Sequence, residues 1–289
     1  MGPEIFRRIR KIEITAKKLA DETMTGVYHS AFKGRGQEFQ DIREYIEGDD
    51  SRIIDWNVTA RMNRTFVKNF SEERELSVLL LVDISGSSQF GSKKQTKREM
   101  MTEISALLGF MAVKNHDKTG LLLFTDKVEH YVPPRKGVKH ILRIIRDLLY
   151  FKPTSRSSDL KCALDYLGGV RKKKCICFII SDFLFPLPMH ELALTAKKHD
   201  VISFCITDEC EQSFPFSDPV MLRDLETGEM RLVDAANAKE RVSQYFVTKN
   251  QTLRESMRKV ESDCLFINSN DSYEKKLRIF FKKRKGKSR

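Results

Sequence analysis

The residues best placed for chemistry are Asp83-Ile84-Ser85-Gly86-Ser87, which follow directly on the apolar run from Leu76 to Val82. Alternate residues of an extended segment point the same way, so one carboxylate and two hydroxyls can converge on a point. Two further polar groups hold comparable places. Ser181-Asp182 closes the apolar run Cys175 to Ile180, and Ser157-Ser158-Asp159-Leu160 opens a predicted helix. One or two carboxylates with several hydroxyls make an all-oxygen donor set, suited to a hard cation such as Mg²⁺ or Mn²⁺ and not to zinc. An ion with so few carboxylates stays electron-poor and readily accepts an outside carboxylate or phosphate. Aspartate and serine at these places also suit turns and helix N-caps. For Ser158 and Asp159, capping and ligation are compatible.

Other chemistries find less in the chain. A phosphotransferase of the haloacid-dehalogenase type needs a second aspartate two residues after its nucleophile, where Ser85 stands, and a two-metal nuclease needs more carboxylates than Asp83 and Asp182 supply. None of the six histidines is near these strand ends, so no Ser-His-Asp arrangement is expected. The acidic stretch Gly48 to Trp56 reads as a turn in which Arg52 and Arg61 pair with Asp49, Asp50 or Asp55 while Trp56 enters the core. Lys33-Gly34-Arg35-Gly36 lacks the spacing of a phosphate-binding P-loop. The cysteines, Cys162, Cys175, Cys177, Cys205, Cys210 and Cys264, show no CxxC pairing. They read as core thiols in a reducing compartment, with Cys175 and Cys177 on the same side of one strand.

The elements that must position these groups follow from periodicity. Beyond Leu76, apolar runs alternate with helical patterns, which predicts a parallel sheet covered by helices on both faces. Strands are expected at 76–82, 120–124, 128–132, 175–180, 201–206 and 264–267. Helices are expected at 93–116, 137–150, 159–170, 188–199 and 237–260, with a hairpin around Glu226-Thr227-Gly228-Glu229. In such a sheet ligands bind beyond the carboxyl ends of the strands, where Asp83 and Asp182 fall. Ahead of this domain, 76–289, lies an extension, 1–75. It opens with an amphipathic helix from Pro3 to about Glu22 and continues as an irregular stretch from Gly26, with a strand-like segment from Arg64 to Phe70. The expected class is α/β: a doubly wound, mostly parallel, Rossmann-like sheet with an N-terminal helical and irregular extension.

The 289 residues include 52 Lys and Arg against 40 Asp and Glu, a formal net charge of +12. That balance favours acidic partners, and through the tail Phe280 to Arg289 it keeps nucleic acid in view. No apolar run approaches the roughly 20 residues of a membrane span, and the first ten residues lack a signal-peptide core. A cytoplasmic protein is expected.

Asp83-Ile84-Ser85-Gly86-Ser87 resembles the metal-ion-dependent adhesion motif of von Willebrand A domains. The resemblance implies that Ser85 and Ser87 coordinate the metal, that Asp83 does so directly or through water, and that Asp182 acts through water. Ser158 stands where the family usually has threonine, with Ser157 as the alternative. A sixth position would take an acidic side chain of a partner. Upstream, Gly34-Arg35-Gly36-Gln37-Glu38-Phe39, Arg43-Glu44-Tyr45, Gly48 to Trp56, Ala60-Arg61 and Phe70-Ser71-Glu72-Glu73-Arg74 resemble, in order, the signature of the bacterial DUF58 family. Ser88 departs from it, methionine being common there. The resemblance implies a non-enzymatic, metal-dependent protein interaction module that accompanies MoxR-type AAA+ ATPases in assembling or maturing complexes. A metal-dependent phosphoryl hydrolase is the alternative. Many relatives carry N-terminal membrane helices, and this sequence shows none.

Overall fold

The computed structural model describes residues 3–32, 38–62, 64–71, 76–92 and 95–285. Lys33 to Gln37, Glu72 to Arg74 and the last four residues of the basic tail, all used in the sequence reading, lie outside them.

The apolar spacing near the N-terminus is realised as helix α1 (Pro3–Leu19). One π-helical turn (Ala20–Met24) then carries the chain into α2 (Thr25–Phe32), where the sequence predicts irregular structure. Burial explains the difference. Tyr28 and Phe32 pack on Phe281 near the far end of the chain, with ring centroids 5.9 and 5.8 Å apart, and such contacts outweigh the helix-weakening Gly26.

Strand β1 (Glu38–Glu44), α3 (Trp56–Met62) and β2 (Phe66–Ser71) follow, the two strands pairing antiparallel. The sequence reading missed β1. Asp55 caps α3, accepting from the N–H of Asn57 at 3.0 Å. Arg52 pairs with Asp50 at 2.8 Å as predicted, but Asp49 goes to Arg43 at 2.7 Å and Asp55 faces Lys68 at 3.6 Å. Trp56, predicted to enter the core, is 69% exposed. No residue of α3 is buried, so this segment offers an indole no interior.

The main sheet uses β3 (Ser77–Asp83), β4 (Lys118–Phe124), β5 (Val128–Arg135), β6 (Ile176–Ser181), β7 (Asp200–Thr207) and, late in the chain, Asp263–Asn268. Between them run α4 (Lys97–Lys114), α5 (Val138–Tyr150), α6 (Leu160–Val170), α7 (Met189–Lys198) and the short α8 (Glu209–Ser213). The hairpin β8 (Val220–Arg223) and β9 (Met230–Val233) leads into α9 (Ala235–Lys259), so the late strand is β10, and α10 (Tyr273–Lys285) ends the described chain. The six strands lie in the order β10-β7-β6-β3-β4-β5, all parallel neighbours except the antiparallel β4–β5 pair.

Alternation along the strands divides the core. Val78, Leu80 and Val82 face α1, α2, α4, α5 and α10, while Leu79 and Leu81 face α6, α7 and α9. The sheet is therefore doubly wound, and α1 and α2 share its core. Cys175 and Cys177 lie on one face, as their alternation predicts, and all six cysteines are free. No helix among the described residues is long and apolar enough to cross a membrane.

One buried base gives the fold a pH dependence. His199, 3% exposed, accepts the Cys175 N–H at Nδ1, 3.3 Å away. Burial, then the charges of Lys198, Arg171 and Lys174, push its pKa down to about 4. Between that value and the ordinary one near 6.5, the unfolded chain takes a proton that the native state refuses. Stability present above pH ~6.5 should therefore be lost as pH falls towards ~4, by on the order of 2–3 kcal/mol from this group. Urea unfolding across that range should show a shallower slope in His199→Asn, and equal slopes would refute the assignment.

Candidate metal centre

β3 and β6 are adjacent and parallel, with Val82 opposite Ile180, so Asp83 and Ser181 end neighbouring strands. The chain leaves β3 through α4 on one face and β6 through α7 on the other. The crevice between them is the topological switch point of the sheet.

Asp83 is 1% exposed. Its Oδ1 accepts from the Ser85 N–H at 2.9 Å, and its Oδ2 accepts from Ser181 Oγ at 2.7 Å and Ser158 Oγ at 2.8 Å. The Oγ atoms of Ser85 and Ser87 lie 3.1 Å apart. Ser88 Oγ donates to the Ser85 carbonyl at 2.7 Å and braces the short 3₁₀ turn Gly86–Gln89. Ser158 is the serine of the 157–158 pair that reaches Asp83, and Asp159 caps α6 beside it. Turn-making and clustering thus occur together: Asp83 organises its own loop and gathers hydroxyls from two other elements.

Asp182 stands at the same strand end but is otherwise engaged. Lys97, the first residue of α4, has a side chain 1% exposed that bridges Asp182 Oδ2 at 2.7 Å and Glu211 Oε1 at 2.5 Å. Lys249 donates to the Asp182 carbonyl. Burial alone would depress the Lys97 ammonium, but Asp182 and Glu211 outweigh it and hold it charged.

Asp83 has no such partner: among the described residues no cationic side chain pairs with it. Burial, then the nearby charge of Asp182, push its carboxyl above the usual range despite the hydrogen bonds it accepts. Glu226, in the hairpin turn, is pushed up to about 7 by burial, then by Asp182, Asp83 and Asp224. A buried carboxylate ringed by hydroxyls, lacking a counter-cation and repelled by its neighbours, fits a hard cation in donor type and in charge. Among the described residues no group of three or more His, Cys, Asp or Glu side chains converges as metal ligands.

Sequence reasoning missed Lys97, Glu211 and Glu226. Lys97 lies in the basic run Lys93-Lys94-Gln95-Thr96-Lys97-Arg98 at the start of a predicted helix, and the two glutamates stand in segments read as loop and turn.

The fold is thus an α/β domain with a doubly wound, mostly parallel sheet whose strand order reverses at the crevice holding Asp83 and Ser181. The family model described as "Protein of unknown function DUF58" matches residues 41–256, and the chain belongs to that family. It is 31% identical over 232 residues to "Uncharacterized protein Rv1480" of Mycobacterium tuberculosis, covering 79% of this chain and 73% of that one. A shorter match, 26% over 107 residues, joins it to "Uncharacterized protein YeaD" of Bacillus subtilis, covering 37% of this chain and 25% of the relative. Among solved structures, the conserved hypothetical protein BatB from Bacteroides thetaiotaomicron aligns with a TM-score of 0.49 at 14% identity, over 74% of this chain and all of that one. The SpRpn10 VWA domain aligns with a TM-score of 0.38 at 10% identity, over 71% and 94%.

Proposed function

We propose that this protein is a non-enzymatic, metal-dependent interaction module in which Mg²⁺ or Mn²⁺ at the β3–β6 crevice takes an acidic side chain of a protein partner. Asp83, Ser85 and Ser87 would hold the ion, with Ser158 and Asp182 supporting it. When bound, the metal supplies a positive charge with room for an outside anion. The observation that carries the reading is Asp83: buried, hydroxyl-ringed and, among the described residues, without a cationic partner. Asp182, held by Lys97, contributes orientation more than charge, which leaves the ion electron-poor. The excess of basic residues, +12 overall, speeds encounter with an acidic partner surface. The family resemblance favours a MoxR-type AAA+ ATPase in that role, and the free cysteines suit a reducing compartment.

The test is affinity capture from a lysate with Mg²⁺ and with EDTA, the wild type beside Asp83→Ala. A partner should be retained only by the wild type in Mg²⁺. Equal retention in all conditions would sink the metal-bridge reading.

A further inference from the structure

The turn of the β8–β9 hairpin sits on the candidate metal centre. A Cβ at Gly86 would stand 2.2 Å from the carbonyl oxygen of Leu225 and 3.2 Å from the backbone nitrogen of Glu226. The glycine between Ser85 and Ser87 is thus what lets the hairpin reach this loop. The turn is built from within: Asp224 Oδ1 accepts from the N–H groups of Glu226 at 2.8 Å and Thr227 at 3.2 Å, and Gly228 adopts φ +80°. Glu226 is half-buried while Asp224 and Glu229 on the same turn are exposed, and its carboxylate feels the charges of both Asp83 and Asp182. Lys97 already balances Asp182 there, so the carboxylate that Glu226 joins without a cation among the described residues is Asp83, and such a pair is favourable only with a cation or a proton between its members. Among the described residues, the hydrogen bonds of 220–233 stay within the hairpin. Met221, Met230 and Leu232 on it are 55%, 65% and 68% exposed. The arm is therefore lightly tethered except where its turn meets Gly86.

We propose, resting on the metal reading above, that Glu226 is an internal ligand of the centre. With the ion on Asp83, Ser85 and Ser87, the Glu226 carboxylate takes the position otherwise filled by the partner's acidic side chain. The hairpin is then an arm that closes the site, and a partner binds by displacing it.

The experiment titrates Mn²⁺ into the full chain, following free ion by electron paramagnetic resonance, for the wild type, Glu226→Gln and Asp83→Asn. It is paired with hydrogen exchange of 220–233 with and without Mg²⁺. Glu226→Gln should weaken Mn²⁺ binding about tenfold. Metal should slow exchange in the wild-type hairpin and leave it unchanged in Glu226→Gln. Bound Mn²⁺ should also gain an exchangeable water in that variant, read as higher water-proton relaxivity. Equal affinity in wild type and Glu226→Gln, with metal-insensitive hairpin exchange, would overturn the internal ligand. If Asp83→Asn still abolished binding, the metal site would stand without it. A wild type that binds no Mn²⁺ would remove both.

Discussion

Asp83→Asn should separate the metal's effect on stability from the effect of the buried charge, with opposite signs in the two conditions. In EDTA the variant should be at least as stable as the wild type. The wild type there keeps a carboxylate that is 1% exposed, with no cationic side chain on it among the described residues, while an amide removes the charge, keeps its oxygen on the Ser85 N–H and turns its NH2 group to the two serine hydroxyls. The Ser158 and Ser181 hydroxyls, 2.8 and 2.7 Å away, can rotate to suit either group. In Mg²⁺ the order should reverse. An ion that binds only the folded state, at about a hundredfold above its Kd, stabilises by about 2.7 kcal/mol, and Asp83→Asn should lose that whole increment. Thermal or urea unfolding of both proteins in both conditions reads the crossing directly. An equal metal-induced shift in the two proteins would show that the ion binds elsewhere.

Lys97→Met should be the most damaging single substitution near the centre. The ammonium is buried between Asp182 and Glu211, and methionine keeps the side chain's length while removing its charge. Deleting one member of a buried ionic group leaves charges without compensation, which costs about 3–5 kcal/mol. Glu211, already pushed above the usual range by burial with Lys97 present, would rise further without it. The folded variant would then bind protons that its unfolded chain releases, so the deficit should shrink as pH is lowered below neutrality. Adding Glu211→Gln to Lys97→Met should recover part of the loss. An unfolding free energy within about 1 kcal/mol of wild type, the scale of an exposed pair, would contradict this view of Lys97.

The two buried carboxylates of the crevice are thus held differently. Asp182 has a lysine built into the fold, and Asp83 has hydroxyls and a turn. A protein in which both were lysine-paired would be sounder as a scaffold and useless for holding an ion. The cost of leaving Asp83 without a partner falls on the state without metal, which is where the first prediction looks for it.

Local sequence sufficed wherever a short segment carries its own physical instruction. The run Leu76 to Val82 is apolar on both sides because a central strand is covered on both faces, and the D-x-S-x-S that follows is a loop shaped by Asp83's own hydrogen bond to Ser85. The turn at 226–229 and the alternation of Cys175 and Cys177 are of the same kind. These patterns determined the α/β class, the strand ends and the aspartate and serines of the candidate site. Tertiary structure decided the rest. Lys97 meets Asp182 across 85 positions and Glu211 across 114, and nothing in its basic surroundings marks it as buried. Tyr28 and Phe32 form a helix because Phe281 closes over them, whereas Trp56 stays outside because α3 offers no interior. Glu226 approaches the crevice only because Gly86 has no side chain. Burial and charge at a crevice are sums over elements distant in the chain, so sequence supplied Asp83 and its hydroxyls, and only the folded chain showed that Lys97 pairs with Asp182 and Glu211 while no cationic side chain among the described residues pairs with Asp83.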